Sequence, residues 1–317
     1  MRKKLFISSI VLVLGLIFAL AGCNKNKELS LVTGGTGGTY YPLGGEMAKV
    51  INKNTDVHIT AQSSGASVEN MQSLQKGEAD LAFTQTDIAN YAVNGKLMFK
   101  GGKVDNVKAI GTLYPETIQI VALKDSGIKS VADLKGKKVS IGAPGSGTEA
   151  NATQILEVYG LSTDDIDAKH LSFDESTDGI QDGSIDAAFV TAGAPTGAVS
   201  ALSAQKDVTI IPIDKDKAEA LKQKYPFYSD DVVKQGTYKL PNDVHTVAVK
   251  AMLVASTDLD EDTVYNITKG LFDNLDKLTN AKKEYISAKN AVDGIGIKLH
   301  PGAEKYFKEK GIKIPKQ

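Results

Sequence analysis

The sequence predicts an α/β fold of two lobes that face each other across a cleft and are joined by two crossing strands. Short apolar segments alternate with segments of helical periodicity along the chain, which is typical of βαβ units with largely parallel sheets. The stretch from Gln75 to Phe83 is also echoed by the stretch from Gln181 to Phe189. The same plan therefore occurs twice, and we expect one such unit in each lobe.

The first lobe is expected to place a glycine-rich loop between its first strand and its first helix. The run Gly34-Gly35-Thr36-Gly37-Gly38-Thr39 follows a short apolar segment, and Pro42 suits the first helical position. The expected elements are a strand over 29–33, a helix from Pro42, a strand over 57–61, a helix over 68–76 capped by Ser67, and a strand over 79–83.

The second lobe repeats this order. A strand over 138–142 leads into the loop 143–148, a helix ends at Gly160, and a strand follows over 168–173. Two strand-rich segments, 108–124 and 245–256, are expected to cross between the lobes, and the mainly helical remainder from Glu261 should pack on the first lobe. The predicted boundaries are 29–115 with 250–317 for lobe 1, and 116–249 for lobe 2.

The N-terminus has the features of an export signal. Three basic residues, Arg2, Lys3 and Lys4, precede an apolar run, and small residues then lead to Cys23. The sequence therefore predicts a signal peptide over 1–22, lipidation of Cys23 and a lipidated tether over 23–28. The chain would be extracytoplasmic and held at the membrane through its lipid anchor only. An ordinary signal or an anchor helix is the alternative.

Composition excludes several classes of site. Arg2 is the only arginine, so without the signal 34 basic residues face 38 acidic ones, which argues against a nucleic-acid partner. One cysteine and four scattered histidines indicate no disulfide, no metal site and no cofactor. Because guanidinium is the usual fork for a carboxylate, an anionic ligand would be held by backbone N–H groups, hydroxyls, amides or lysine.

Small polar residues at the expected strand ends indicate a ligand site. Ligands of open α/β sheets bind beyond the carboxyl ends of the strands, and helix starts turn N–H groups and a positive dipole end toward that place. Helices are expected to begin at Thr39-Tyr40 and at Gly147-Thr148 and to face each other. The sequence therefore predicts a small-molecule site there; each loop taken alone is also compatible with a tight turn that binds nothing.

Catalytic motifs are incomplete in this sequence. The segment Gly142–Gly147 has P-loop spacing, but Thr148 stands where the lysine is required, and no nucleophile-elbow pattern surrounds Ser146. Asp87 and Glu116 could form an acid/base pair, although structural hydrogen bonding is the favoured interpretation. The sequence thus predicts a binding protein and not an enzyme.

Five runs carry a family resemblance: Gly34–Gly44, Ser63–Asn70, Leu113–Glu116, Gly142–Glu149 and His300–Phe307. Together and in this order they resemble TAXI-type receptors, the extracytoplasmic solute-binding proteins of one branch of TRAP transporters. The resemblance implies a type II periplasmic-binding-protein fold with a hinged cleft. It also implies a ligand such as glutamate, glutamine or a dicarboxylate, and docking to the integral-membrane subunits of a TRAP permease.

Site residues follow from the positions that match the family's motifs. Tyr114 and Glu116 are candidates for the pocket wall, and Ala66 stands where many members have glycine, so its methyl group is expected to narrow the site. The matching positions give as candidate ligand-binding residues Gly37, Gly38, Thr39, Tyr40, Ser64, Ser146, Gly147 and Thr148, and Gln85, two residues after the strand expected to end at Phe83, is a further candidate.

Three alternatives stay open from the sequence. The nearest is a substrate-binding lipoprotein of an ABC importer for a vitamin precursor or a sulfonate. A secreted enzyme would need a nucleophile or metal constellation, and a sensor or adhesion module would present its ligand-bound form to another receptor. In each binding interpretation we expect a monomer.

Overall fold

The computed structural model describes residues 28–315. The predicted signal peptide, Cys23 and all of the tether except Glu28 lie outside these residues. Within the described part, no helix is long and apolar enough to cross a membrane.

One mixed sheet runs through the described residues. The strands are β1 (Glu28–Val32), β2 (His58–Gln62), β3 (Leu81–Gln85), β4 (Val107–Leu123), β5 (Lys138–Ser140), β6 (Asp167–Lys169), β7 (Ala187–Ala192), β8 (Val208–Ile211), β9 (Ser229–Val233) and β10 (Val244–Ser256). Their order is β2-β1-β3-β10-β4-β7-β5-β6, while β8 pairs with β4 and β9 with β10. The outer strands of each half are parallel, and the long central pair β10–β4 is antiparallel.

Helices pack on this sheet. They are α1 (Tyr40–Asn54), α2 (Ser67–Gln75), α3 (Thr86–Asn94), α4 (Gly147–Val158), α5 (Phe173–Asp182), α6 (Gly197–Gln205), α7 (Lys215–Lys224), α8 (Glu261–Phe272) and α9 (Pro301–Glu309). Short 3-10 turns cover Leu97–Phe99, Val131–Leu134, Thr163–Asp165, Thr237–Lys239, Leu275–Lys277 and Ala281–Tyr285.

The two central strands connect separate hydrophobic cores. The first part of β4, through Tyr114, and the end of β10, from Ala251, belong to the core that also holds β1, β3, α8 and α9. From Ile118 onward β4 joins cores formed with β5 and β7, and so does β10 at Val247 and Val249. The predicted two-lobe α/β fold with two crossing strands is thus confirmed, while the lobe boundaries stay a prediction.

The C-terminal part is less helical than predicted. Helix α8 ends at Phe272, and α9 does not begin until Pro301. Aspartate, asparagine and glycine recur between them, and these residues favour turns over helix. The end of this segment is extended because it hydrogen-bonds to β4: the N–H of Ala109 donates to Lys298 O at 2.9 Å, and the N–H of His300 donates to Ala109 O at 2.8 Å.

Two further predictions about local structure are wrong. Ser67 is the first residue of α2 and not its cap; the N–H groups of Val68 and Glu69 instead donate to Gly145 O, each at 3.0 Å. The strand predicted over 168–173 stops at Lys169, since Ser172 and Glu175 form a capping box that starts α5 at Phe173.

Candidate ligand-binding site

A cavity lies between the two halves of the sheet, near the carboxyl ends of β1, β3 and β7. It holds about 80 Å³ of free space. A polar site with this much space has room for several water-sized groups, so it can admit a small-molecule ligand. Nine residues predicted for the site or its wall line it: Gly38, Thr39, Tyr40, Ser64, Gln85, Glu116, Ser146, Gly147 and Thr148. Their contact with a ligand stays a prediction.

Two predicted residues, Gly37 and Tyr114, are not on the cavity wall. Gly37 lies at the lip, where its carbonyl accepts the N–H of Ala198 at 3.0 Å and a Cβ atom would collide with the Asp174 carboxylate. Gly37 therefore allows the lobes to approach each other. Tyr114 is buried, with its hydroxyl close to Thr39 and Glu116.

Two helices begin at the cavity, as predicted. Helix α1 starts at Tyr40 without a side-chain cap, because the hydroxyl of Thr39 donates instead to Gly193 O at 3.4 Å. Helix α4 starts at Gly147 and is capped by Ser146 Oγ, which accepts the N–H of Glu149 at 3.2 Å. Both N-terminal ends carry partial positive charge, and both helix starts line the cavity. The arrangement favours negative charge inside it.

Among the described residues, two buried polar atoms at the cavity have no hydrogen-bond partner. They are Gln85 Oε1 and Thr191 Oγ1, and both residues line the cavity. A buried group without a hydrogen bond costs about 1–3 kcal/mol, so both atoms are available to bond to water or to a ligand. Thr191 was missed in the sequence, although a signal existed: in the internal repeat that aligns Phe83 with Phe189, Thr191 takes the place of Gln85.

Glu116 is the carboxyl group on the cavity wall. It is 2% exposed, and its Oε2 accepts the hydroxyl of Tyr40 at 2.8 Å. Burial raises the pKa of Glu116 to about 8; the hydrogen bond from Tyr40 opposes this shift and the nearby charge of Asp87 adds to it. Lysine is absent from the described residues that form the wall. At neutral pH the wall therefore carries little formal charge, and the helix ends determine its potential.

The lobes touch each other around the cavity. Thr36 Oγ1 donates to Asp174 Oδ2 at 3.0 Å on one side. On the other, Asn151 Nδ2 of α4 donates to Asp87 Oδ2 of α3 at 3.0 Å. Lys282 adds a third bridge, since its ammonium donates to Ala194 O. These contacts across the cleft define a closed conformation.

Comparison with known proteins identifies the family. The model of the NMT1-like family matches residues 31–311, which is most of the chain. The chain belongs to the NMT1-like family. The prediction of a TAXI-type receptor of a TRAP transporter is wrong by this comparison, because the family that matches is the NMT1-like family.

Solved structures similar to this chain share its two-lobe fold at low sequence identity. The alkanesulfonate-binding protein SsuA from Xanthomonas axonopodis pv. citri, bound to MOPS, is 17% identical over 90% of this chain and 85% of that chain, with a TM-score of 0.52. PhnD1 from Prochlorococcus marinus, in complex with methylphosphonate, is 14% identical over 90% of this chain and 97% of that chain, with a TM-score of 0.52. A putative L-cystine ABC transporter from Listeria monocytogenes is 15% identical over 84% of this chain and 98% of that chain, with a TM-score of 0.52.

Proposed function

We propose that this chain is an extracytoplasmic solute-binding protein that delivers a small organic anion to an ABC-type importer. The observation that carries the proposal is the closed cavity between two helix N-termini, with two unpartnered polar atoms on its wall. A site of this kind binds an oxyanion through N–H groups and hydroxyls without arginine. The chemistry suits binding and release, and we propose no turnover of the ligand.

The ligand class is proposed from the size and polarity of the cavity. Short-chain sulfonates, phosphonates and carboxylates, including amino acids, have the few non-hydrogen atoms that the free space admits. The proteins of similar fold that are described as binding an alkanesulfonate or methylphosphonate support an oxyanion. An ABC permease replaces the TRAP permease as the proposed partner.

The clamshell mechanism is part of the proposal. The lobes would comprise 29–115 with 250–317, and 116–249, and they would separate by bending of β4 and β10. A ligand that touches both helix starts favours the closed state and shifts the population toward it. Lipidation of Cys23 would keep the protein beside its permease.

The test is a melting experiment on the chain from Cys23 to Gln317, carrying Cys23→Ser and refolded to remove any bound ligand. The panel contains sulfonates, phosphonates, amino acids and dicarboxylates, with neutral vitamin-like molecules as a separate arm. A ligand at about 1,000 times its Kd adds about 4 kcal/mol of stability and raises Tm by several degrees. Shifts confined to the neutral arm would contradict the anion site, and turnover of a stabilising compound would contradict the binding role.

A further inference from the structure

We infer that Glu116 is the proton-binding residue of this site and stands as a neutral carboxylic acid whenever an anion occupies the cavity, so that anion binding is linked to proton uptake. The inference rests on the proposed function and adds the state of charge in which the site works. The proton comes from solvent and adds to one carboxylate oxygen of Glu116, and no other bond changes.

The position of Glu116 carries the inference. Its carboxyl group is on the wall of a cavity of about 80 Å³, so a bound ligand of that size lies within a few ångströms of it. The ends of α1 and α4 direct the ligand's negative charge into the same space. A second negative charge on Glu116 would repel that ligand in a cavity shielded from water, where charges interact strongly. Protonation removes the repulsion.

Among the described residues, no lysine, arginine or histidine lines the cavity to offset a charged Glu116. The titratable groups that face it are Tyr40 of α1, Tyr114 on its own strand β4 and Asp87 of α3. The two tyrosines are neutral, because burial raises the pKa of each well above its usual value, and Asp87 has the same charge sign as Glu116. The surroundings therefore hold the pKa of Glu116 high, at about 8 in the closed, empty cavity.

A neutral Glu116 also improves the hydrogen bonding of the site. The amide of Gln85 lies within hydrogen-bonding reach of Glu116, and its Oε1 lacks a donor. The O–H of a protonated carboxyl is such a donor, and rotation of the amide by a half turn brings Oε1 toward it. The NH₂ group of Gln85 then faces the start of α4, where it can donate to an oxyanion.

The test uses two probes that differ in one group. Ethanesulfonate stays a monoanion from pH 6 to pH 9.5, and taurine adds an ammonium group to the same sulfonate. Calorimetric titrations of the chain from Cys23 to Gln317 with Cys23→Ser are made at pH 7, 8 and 9, in buffers of different ionisation enthalpy. The variants are Glu116→Gln, which imitates the neutral acid, and Glu219→Gln, which removes an exposed carboxylate far from the cavity.

The expected result has three parts. Wild type binds ethanesulfonate at least about tenfold more weakly at pH 9 than at pH 7 and takes up at least about half a proton at pH 8, because the pKa of Glu116 is about 8 in the closed, empty cavity and lower wherever opening hydrates it. Glu116→Gln binds with an affinity that does not change over this range. Glu219→Gln behaves as wild type, and taurine binds no more tightly than ethanesulfonate.

Other outcomes overturn the inference in distinguishable ways. Two results would show that the carboxyl is not needed in its neutral form. One is a wild-type affinity that is constant from pH 7 to pH 9. The other is loss of binding in a Glu116→Gln protein that melts at the same temperature as wild type. Taurine that binds far more tightly, with the preference lost in Glu116→Gln, would show an ionised Glu116 paired with ammonium. Binding of neither probe by either protein would count against the proposed function itself.

Discussion

Replacement of Gly147 by alanine tests whether ligand binding depends on close approach of the lobes. Gly147 is the first residue of α4, and its backbone does not require glycine, since its φ is not positive. A Cβ atom there would lie 2.8 Å from Gln85 Nε2 and would collide with Gln85 Oε1. Gln85 belongs to the other half of the sheet, so the collision exists in the closed conformation alone.

The magnitude follows from how little room Gln85 has. Its side chain is 2% exposed, so it cannot simply turn into solvent. Forcing it off its rotamer costs about 0.5–1.5 kcal/mol, and overpacking of a buried contact costs about 1–3 kcal/mol. We expect Gly147→Ala to weaken ligand binding by about 1–3 kcal/mol, or roughly 5- to 150-fold. The open form should gain up to about 1 kcal/mol from the better helix former.

The assay is calorimetric titration with the oxyanion that gives the largest melting shift in the panel. Gly45→Ala is the matched control, because a Cβ atom on this α1 glycine meets no atom within 4 Å. A double-mutant cycle with Gln85→Ala measures the coupling between the two positions: once the obstructing side chain is removed, Gly147→Ala should no longer weaken ligand binding. Equal affinity of wild type and Gly147→Ala, or a cycle without coupling, would refute the reasoning.

Three further predictions concern the contacts around the cavity. Thr148→Val should weaken oxyanion binding by about 1–3 kcal/mol in calorimetry, and unchanged affinity would place the ligand away from α4. Burial raises the pKa of Asp87 to about 6, so the stability that its neutral form confers is complete only below the unfolded pKa of about 4 and is lost as pH rises through 6. Asp87→Asn should gain about 2.5 kcal/mol over wild type between pH 4 and pH 7 in denaturant unfolding, whereas a constant difference would contradict the raised pKa. Lys282→Ala removes the bridge to Ala194 and should increase the radius of gyration of the ligand-free protein in X-ray scattering. Lys283→Ala should leave that radius unchanged, because the ammonium of Lys283 bonds within its own segment. Equal radii for the two variants would show that Lys282 does not hold the lobes together.

Local patterns in the sequence were sufficient for the fold and for both helix starts. Apolar runs and glycine loops are short-range signals, and they located β4, β10, α1 and α4 to within a few residues. Predictions failed where a distant segment determined the structure. The start of α2 is capped by Gly145 from the other lobe, and the segment before α9 is extended because it bonds to β4. Neither partner is visible from the local sequence.

The candidate site shows the same division between local and distant information. Thr39 and Gly147 lie in glycine-rich loops that come directly after a strand. Their place at the site was predictable because the fold class puts the carboxyl ends of strands at the cleft. The proximity of Gly37 to Asp174 could not be predicted, since it arises only where the two lobes meet. The electrostatics of Glu116 depend on burial and on Asp87 across the wall, which no spacing in the sequence encodes.

The two unpartnered oxygens explain how a cavity without arginine can select an anion. The hydroxyl of Thr191 can donate to an oxyanion, and a half turn of the Gln85 amide presents its NH₂ group with no change in shape. The polar cavity of about 80 Å³ has room for water, which can satisfy both groups in the empty protein, open or closed. An anion displaces that water and pairs with both groups, whereas an apolar molecule of equal size displaces the water and leaves both unpaired, at a cost of about 1–3 kcal/mol each. Selectivity then arises from the unsatisfied groups and not from an opposing charge.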